Sequence, residues 1–425
     1  LDKVKEKQPG ADKLTFRKNR INTDSYDQAI TPKVSDSLQR DWKNFIALSF
    51  LFSFGFCVYA GVFQNYLLDV IHTNALGVGR LESIREIPGL LAALIAGTLA
   101  SLAESKIAAV GLAVAAIGIG LSGMMPSYGS LIAITVFWSV GFHLYQSVAS
   151  ALTMALAKGK DAGHHLSRLR KVAAIGTIVA LAVSYAASLL LPHDDYQPYF
   201  ITSGIAIFMA AIICSTLSAH ADGGKRKNIV FKRKYSLYYI LTFLDGCRRQ
   251  IFSIFASFAL IFVFHQSLIA MLALQLINAI IITIAAPPIG RLIDRLGEKR
   301  PLTWYAVGLI VVFLGYALVG SVQAMYLLFI IDNFLFSLNV GFTTYLHRTS
   351  ETQDFTPSLA MGTTMNHVAA VTVPYFGALL WIRTGNYQAP FWVGVGIAAV
   401  SLFATQALPN HPKNTAIQEP EILQA

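Results

Sequence analysis

Apolar residues in this chain neither alternate nor mark a narrow helical stripe. They gather in runs of about twenty, each long enough as helix to cross roughly 30 Å of hydrocarbon. Twelve runs are read, near 44–70, 82–103, 106–125, 130–156, 172–191, 199–217, 236–264, 267–289, 302–320, 325–347, 357–382 and 390–408. Short polar or Pro/Gly breaks separate them, such as Met125-Pro126-Ser127-Tyr128-Gly129 and Pro192-His193-Asp194-Asp195. Small residues recur inside the runs, as with Gly111, Gly118 and Gly120, and small residues let membrane helices pack closely. A membrane β-barrel needs alternating segments of about ten residues, and none is present. The expected fold class is an all-α polytopic membrane protein with twelve transmembrane helices.

Composition excludes the competing classes. Of 425 residues, 55% are hydrophobic and 13% charged, so a soluble surface cannot be covered. Disorder requires the opposite balance. Three cysteines, Cys57, Cys214 and Cys247, lie in apolar runs and form neither a disulfide framework nor a zinc-site spacing. His164-His165 is a lone pair in a basic loop. No hydrolase elbow, Walker loop, H-E-x-x-H or C-x-x-C occurs, so no enzyme activity, cofactor or metal is expected.

The formal net charge of +10 is explained by where it sits. Bases crowd the tail before the first run and the breaks 158–171, 225–234 and 291–300, while the opposite breaks hold Arg80, Arg85 and Arg383. The positive-inside rule then places both termini in the cytoplasm and makes the charge a topology marker, with no nucleic-acid role. The expected location is the cytoplasmic (inner) membrane. Residues 1–43 carry no secretory signal pattern and read as a solvated cytoplasmic tail, with Trp42 anchoring the first span at the interface. Two six-helix bundles are expected at 44–217 and 236–408, joined by a basic cytoplasmic linker, 218–235, and followed by a cytoplasmic tail, 409–425.

After the eighth run stands Gly290-Arg291-Leu292-Ile293-Asp294-Arg295-Leu296-Gly297-Glu298-Lys299-Arg300. This resembles the loop signature of the major facilitator superfamily, G-x-L-x-D-R-x-G-x-K/R. An offset of about 193 residues carries it onto Gly97–Lys106, where Gly97, Leu99 and Lys106 survive but Ser101 and Leu102 replace the acid and base. The same offset carries the fourth to sixth runs onto the tenth to twelfth. The resemblance, over about 43–410, implies two parallel six-helix repeats rocking about a midplane site. It implies gating roles for Gly290, Asp294, Arg295 and Gly297, and a cavity lined by spans one, four, seven and ten.

Ionisable residues within the spans are functional candidates by default. Span seven holds Asp245, Arg248 and Arg249 on one face, either as an Asp245–Arg249 pair or with an arginine left for an anionic solute. Span ten holds Asp332 and Asn339; Asp332 either carries a proton or pairs with Arg248. Span four offers His143 and Gln146, span one Tyr59 and Gln64, and span eleven Asn366 and His367. Near the outer end of span two, Glu82, Arg85 and Glu86 form an interfacial ion cluster or an outer gate. The expected function is secondary active transport of a small organic solute, an organic anion, with protons as coupling ion through Asp332, Asp245 or Glu86. The expected state is a monomer in the lipid bilayer. Proton-coupled efflux of drug-like metabolites and a non-transporting sensor or assembly partner stand as alternatives.

Overall fold

A computed structural model describes residues 24–98, 103–156, 162–218 and 231–410. The chain divides into two units, Leu1–Arg40 and Asp41–Ala425, and all candidate site residues belong to the second. The first 23 residues, Ser101 and Leu102 of the altered signature copy, most of the linker and the last fifteen residues lie outside the described residues.

Six helices make the first half: α1 (Asp24–Asp69), α2 (Ala75–Thr98), α3 (Glu104–Ser122), α4 (Tyr128–Leu156), α5 (Ala162–Ser188) and α6 (Gln197–Ser215). The seventh span is composite, with α7 (Ser236–Gln250), a π-helical turn at Ile251–Ala256 and α8 (Ser257–Phe262). Then follow α9 (Leu268–Leu296) and α10 (Lys299–Leu318). The tenth span is broken by a 3₁₀ turn, Ser337–Asn339, between α11 (Val322–Phe336) and α12 (Val340–Thr349), and α13 (Thr352–Thr384) and α14 (Ala389–Gln406) complete the chain. Among the described residues, ten helical segments are long and apolar enough to cross a membrane. The Pro-containing α2 and the composite seventh bring the spans to twelve.

The first helix is longer than its apolar run, and one expectation about it changes. The segment read as a solvated tail is helical from Asp24 onward. Trp42 is buried against the His165 ring, 4.4 Å between centroids, so it packs inside the protein.

The halves repeat one packing scheme. Span three (α3) lies against α4 and α6, and span nine (α10) lies against α11 and α14, the counterparts one repeat later. Lipid tails are as apolar as leucine, so close packing rather than escape from water holds such helices together. Gly111 and Gly141 show how close: a Cβ on either would come within 2.7 Å of the other's carbonyl oxygen. Large apolar side chains such as Leu190, Ile284, Leu318 and Phe403 are exposed, as a surface facing lipid requires.

Between the halves, α2 packs on α13 and α5 on α9. Hydrogen bonds joining the halves cluster toward the loop face opposite the basic loops. Gln64 Nε2 donates to the Ser253 carbonyl at 3.1 Å, Gln275 Nε2 to that of Gly61 at 3.2 Å, and the Tyr375 amide to Ser83 Oγ at 3.1 Å.

On the basic face, the signature loop turns at Gly297, whose φ of 72° favours glycine. Asp294 faces Arg348 at 3.7 Å, and Arg348 Nε forms an ion pair with Glu298 Oε1 at 3.1 Å. Gly290 has open space where a Cβ would stand, so close helix approach is not its role here. Nearby, Lys234 bridges Glu351 at 2.6 Å and Asp354 at 2.9 Å, while Lys232 reaches Asp354 at 2.5 Å. Its partners hold the Lys234 ammonium above the usual lysine range, Glu351 foremost, and Lys234 in turn holds the Glu351 carboxyl below its own.

Candidate functional site

Helix α2 starts at Ala75, seven residues before the predicted span. Glu86 therefore lies eleven residues in, about 16 Å along the axis, at mid-depth rather than near the outer end. Two residues on, Pro88 lacks an amide hydrogen and cannot donate to the carbonyl of Ile84.

Arg85 divides its guanidinium between Glu82 Oε2 at 2.7 Å and Glu86 Oε1 at 3.0 Å. Two carboxyl groups thus share one arginine. The second oxygen of Glu86 faces two histidines: His143 Nε2 of α4 at 3.7 Å and His367 Nδ1 of α13 at 3.1 Å. The two rings stand 5.0 Å apart, edge to face. Glu86 and His143 belong to the first half and His367 to the second, so the cluster spans the interface between halves.

The neutral tautomer of His143 follows from its neighbours. Nδ1 lies 2.9 Å from the Ser139 carbonyl and 3.1 Å from Ser139 Oγ. That hydroxyl gives its hydrogen to the Arg85 carbonyl at 2.5 Å, so both partners of Nδ1 are acceptors. Nδ1 must carry a proton, so in the neutral ring Nε2 is the nitrogen that turns its lone pair toward Glu86. Gly89 makes room for the pair: a Cβ there would stand 2.5 Å from His143 Nε2 and from His367 Cε1.

The second constellation lies wholly in the second half. Arg248 of α7 is 1% exposed and Asp332 of α11 is 0% exposed, and Arg248 Nη2 bonds Asp332 Oδ1 and, at 3.2 Å, its carbonyl. The rings of Phe252, Tyr305 and Phe336 surround the guanidinium at 5.0–5.7 Å. Asp245 Oδ1 accepts from the Tyr305 hydroxyl at 2.5 Å. Arg248 Nε, Asp332 Oδ2 and the Tyr316 hydroxyl have no hydrogen-bond partner among the described residues. Of the alternatives left open for these spans, Arg248 with Asp332 is the pair that forms, and Asp245 with Arg249 is not. Arg249 is exposed and has no hydrogen bond or ion pair among the described residues.

The remaining candidates scatter. Tyr59 is buried among Phe63, Trp138 and Phe200. Gln64 serves the contact between halves, Gln146 is exposed, and Asn339 sits in the 3₁₀ turn of the tenth span. Asn366 lies against Gly246, where a Cβ would meet its Oδ1 at 2.7 Å. Tyr305, the partner of Asp245, went unseen because span nine has no acid or base near its centre. A tyrosine in a run of this hydropathy carries no separate signal.

The sequence pattern of the Major Facilitator Superfamily matches residues 45–356 and 238–423. No curated protein sequence matches the chain. Among solved structures, a mutant of the nucleoside transporter NupG is similar over 87% of this chain and 99% of that one, with a TM-score of 0.72 at 15% identity. A bacterial homologue of the iron transporter ferroportin, in an inward-facing state, gives 0.69 at 15% identity over 87% and 98%. The human organic anion transporter MFSD10 (TETRAN) gives 0.64 at 13% identity over 87% and 99%. At these identities the likeness is one of fold.

Proposed function

Because the chain belongs to the major facilitator superfamily and is a secondary transporter, we propose that it carries a small organic anion together with protons, by alternating access. The observation that carries this reading is the unequal treatment of two adjacent arginines in span seven. Arg248 is neutralised by Asp332, whereas Arg249 is exposed without an ion-pair partner among the described residues. A guanidinium at membrane depth is costly unless paired, and a carboxylate or phosphate group supplies the missing partner.

Asp332 is the coupling group in this reading. Protonating it releases the Arg248 guanidinium, which then joins Arg249 in holding the anion. Loss of the proton returns Arg248 to Asp332 and expels the solute. Asp245, Tyr305 and Tyr316 are the other titratable groups around the pair. The contacts between halves on the face opposite the basic loops support a conformation closed there. With basic loops in the cytoplasm of an inner-membrane protein, that conformation faces inward. The bundles at 44–217 and 236–408 are the rocking bodies, with Glu82, Arg85 and the signature residues as gates.

The test begins with a thermal-shift screen of carboxylates and phosphates on the purified chain, since a ligand stabilises the fold it binds. For the anion so found, Arg248→Ala and Arg249→Ala each weaken binding, and Asp332→Asn abolishes proton-driven accumulation in proteoliposomes while sparing exchange. Unchanged affinity in both arginine variants refutes the anion reading. Proton-driven accumulation intact in Asp332→Asn removes that carboxylate from the coupling.

A further inference from the structure

We infer that Glu86, His143 and His367 form a binding site for one divalent first-row transition-metal ion, bridging the two halves. Their ligand atoms, one from each residue, all lie within 4.8 Å of one another. Hydrogen bonding alone does not explain their spacing. His143 Nε2 and Glu86 Oε2 stand 3.7 Å apart, beyond hydrogen-bond range, and Nε2 has no proton to give in the neutral ring. Ligand bonds of about 2.0–2.1 Å in a tetrahedron put neighbouring ligand atoms roughly 3.3–3.5 Å apart. The 3.7 Å and 3.1 Å separations around Glu86 bracket that edge.

Three further observations agree. The Ser139 carbonyl fixes the tautomer of His143 as an outer-sphere acceptor fixes a metal-bound imidazole. Coordination through His367 Nδ1 uses the tautomer with its proton on Nε2. Glu82 and Glu86 are two carboxyl groups sharing the one guanidinium of Arg85, which can offset only one of them. The floor beneath the two imidazoles is Gly89, where any side chain would fill the space between them. Two imidazoles and one carboxylate suit iron, manganese, cobalt, nickel or zinc, whereas magnesium and calcium demand oxygen ligands. The side chains of Glu86 and His367 are 14% and 20% exposed, so the ion has access and a coordination position remains for water or solute.

This inference does not rest on the anion reading, and its test involves no flux. The full chain, purified in detergent and stripped with chelator, is titrated with Zn²⁺ by calorimetry and with Co²⁺ by visible absorption. The expected result is one ion per chain, with affinity falling at least about tenfold in Glu86→Gln, His143→Ala and His367→Ala. His367→Cys supplies a check independent of affinity, because a coordinating thiolate adds a sulfur-to-cobalt charge-transfer band absent from the parent chain. Binding equal in the parent and the three variants overturns the inference. So does a folded His367→Cys variant, judged by its unchanged elution and melting, that shows no new band.

Discussion

Two arginines at membrane depth are neutralised in opposite ways. Arg248 is sealed inside the second half, held by Asp332 on a neighbouring span and walled by three aromatic rings. Arg85 is held by two acids of its own helix, and one of these, Glu86, keeps its second oxygen for residues on two other helices. The first arrangement ties α7 to α11 within one bundle and has no part in the contact between bundles. The second lies where the bundles meet, so any rocking motion must remake it. A sealed pair at this depth loses heavily if one member changes. An open, over-provided cluster keeps its arginine satisfied when one acid is removed. The one pair can thus be remade without moving the bundles, whereas the other cannot.

The sharpest way to break this contrast is to remove one member of the sealed pair. Arg248→Met or Asp332→Leu alone leaves a buried charge uncompensated, which costs about 3–5 kcal/mol. The double variant, with neither charge, regains most of that. Equilibrium unfolding in mixed micelles measures all three, and single variants as stable as the parent would remove cohesion from the role of the pair. Next in size is Gly89→Ala in the open cluster. Its Cβ overlaps both imidazoles, and overpacking of this kind costs about 1–3 kcal/mol. The overlap with His143 lies within the first half, but that with His367 arises only in the conformation that brings α2 against α13. Distance measurements between spin labels on the two halves should therefore show the halves parting on the face opposite the basic loops. Unchanged distances would mean that α13 accommodates the methyl group without moving.

The fold was legible because the lipid solvent imposes it: a run of about twenty apolar residues has one way to satisfy its backbone there. The signature at Gly290–Arg300 and the offset repeat added the two-bundle plan. Individual site residues were also visible, since Glu86, His143, His367, Arg248 and Asp332 are each conspicuous in an apolar span. What the sequence did not carry was their grouping. Glu86 and His367 are separated by 281 positions, and only packing of α2 on α13 brings them together. The depth of Glu86 was misjudged for a local reason. The glycine-rich stretch before the run, Gly77 to Arg80, conceals a helix that begins at Ala75.

Smaller effects should come from the hydrogen bonds joining the halves. Gln64→Leu and Ser83→Ala each remove one such bond, worth about 0.5–1.5 kcal/mol. Each bond exists only while the halves are closed on that face, so its loss shifts the balance between conformations more than the stability of either bundle. Reactivity of a cysteine placed on that face toward a water-soluble reagent should rise in both variants, and rise further in the double variant. No rise in either would assign closure of that face to packing of α2 on α13 and α5 on α9.

The smallest effect belongs to the ion pair between Lys234 and Glu351, because both side chains are largely exposed to solvent. Glu351 has a carboxyl held below its usual value. Its contribution is complete above the ordinary glutamate value of about 4.3 and disappears as pH falls through the lowered one. Lys234 has an ammonium held above its usual value. Its contribution is complete below the ordinary lysine value of about 10.4 and disappears as pH rises through the raised one. The pair is therefore constant across the neutral range, and Glu351→Gln should lower the melting temperature slightly and by the same amount from pH 6 to pH 8. As pH falls from the ordinary value through the lowered one the variant and parent should converge, because protonation then removes the charge that the substitution removes. Convergence already at pH 6 would place the titrating group elsewhere, and a loss as large as that of Asp332→Leu would show that exposure does not weaken this pair.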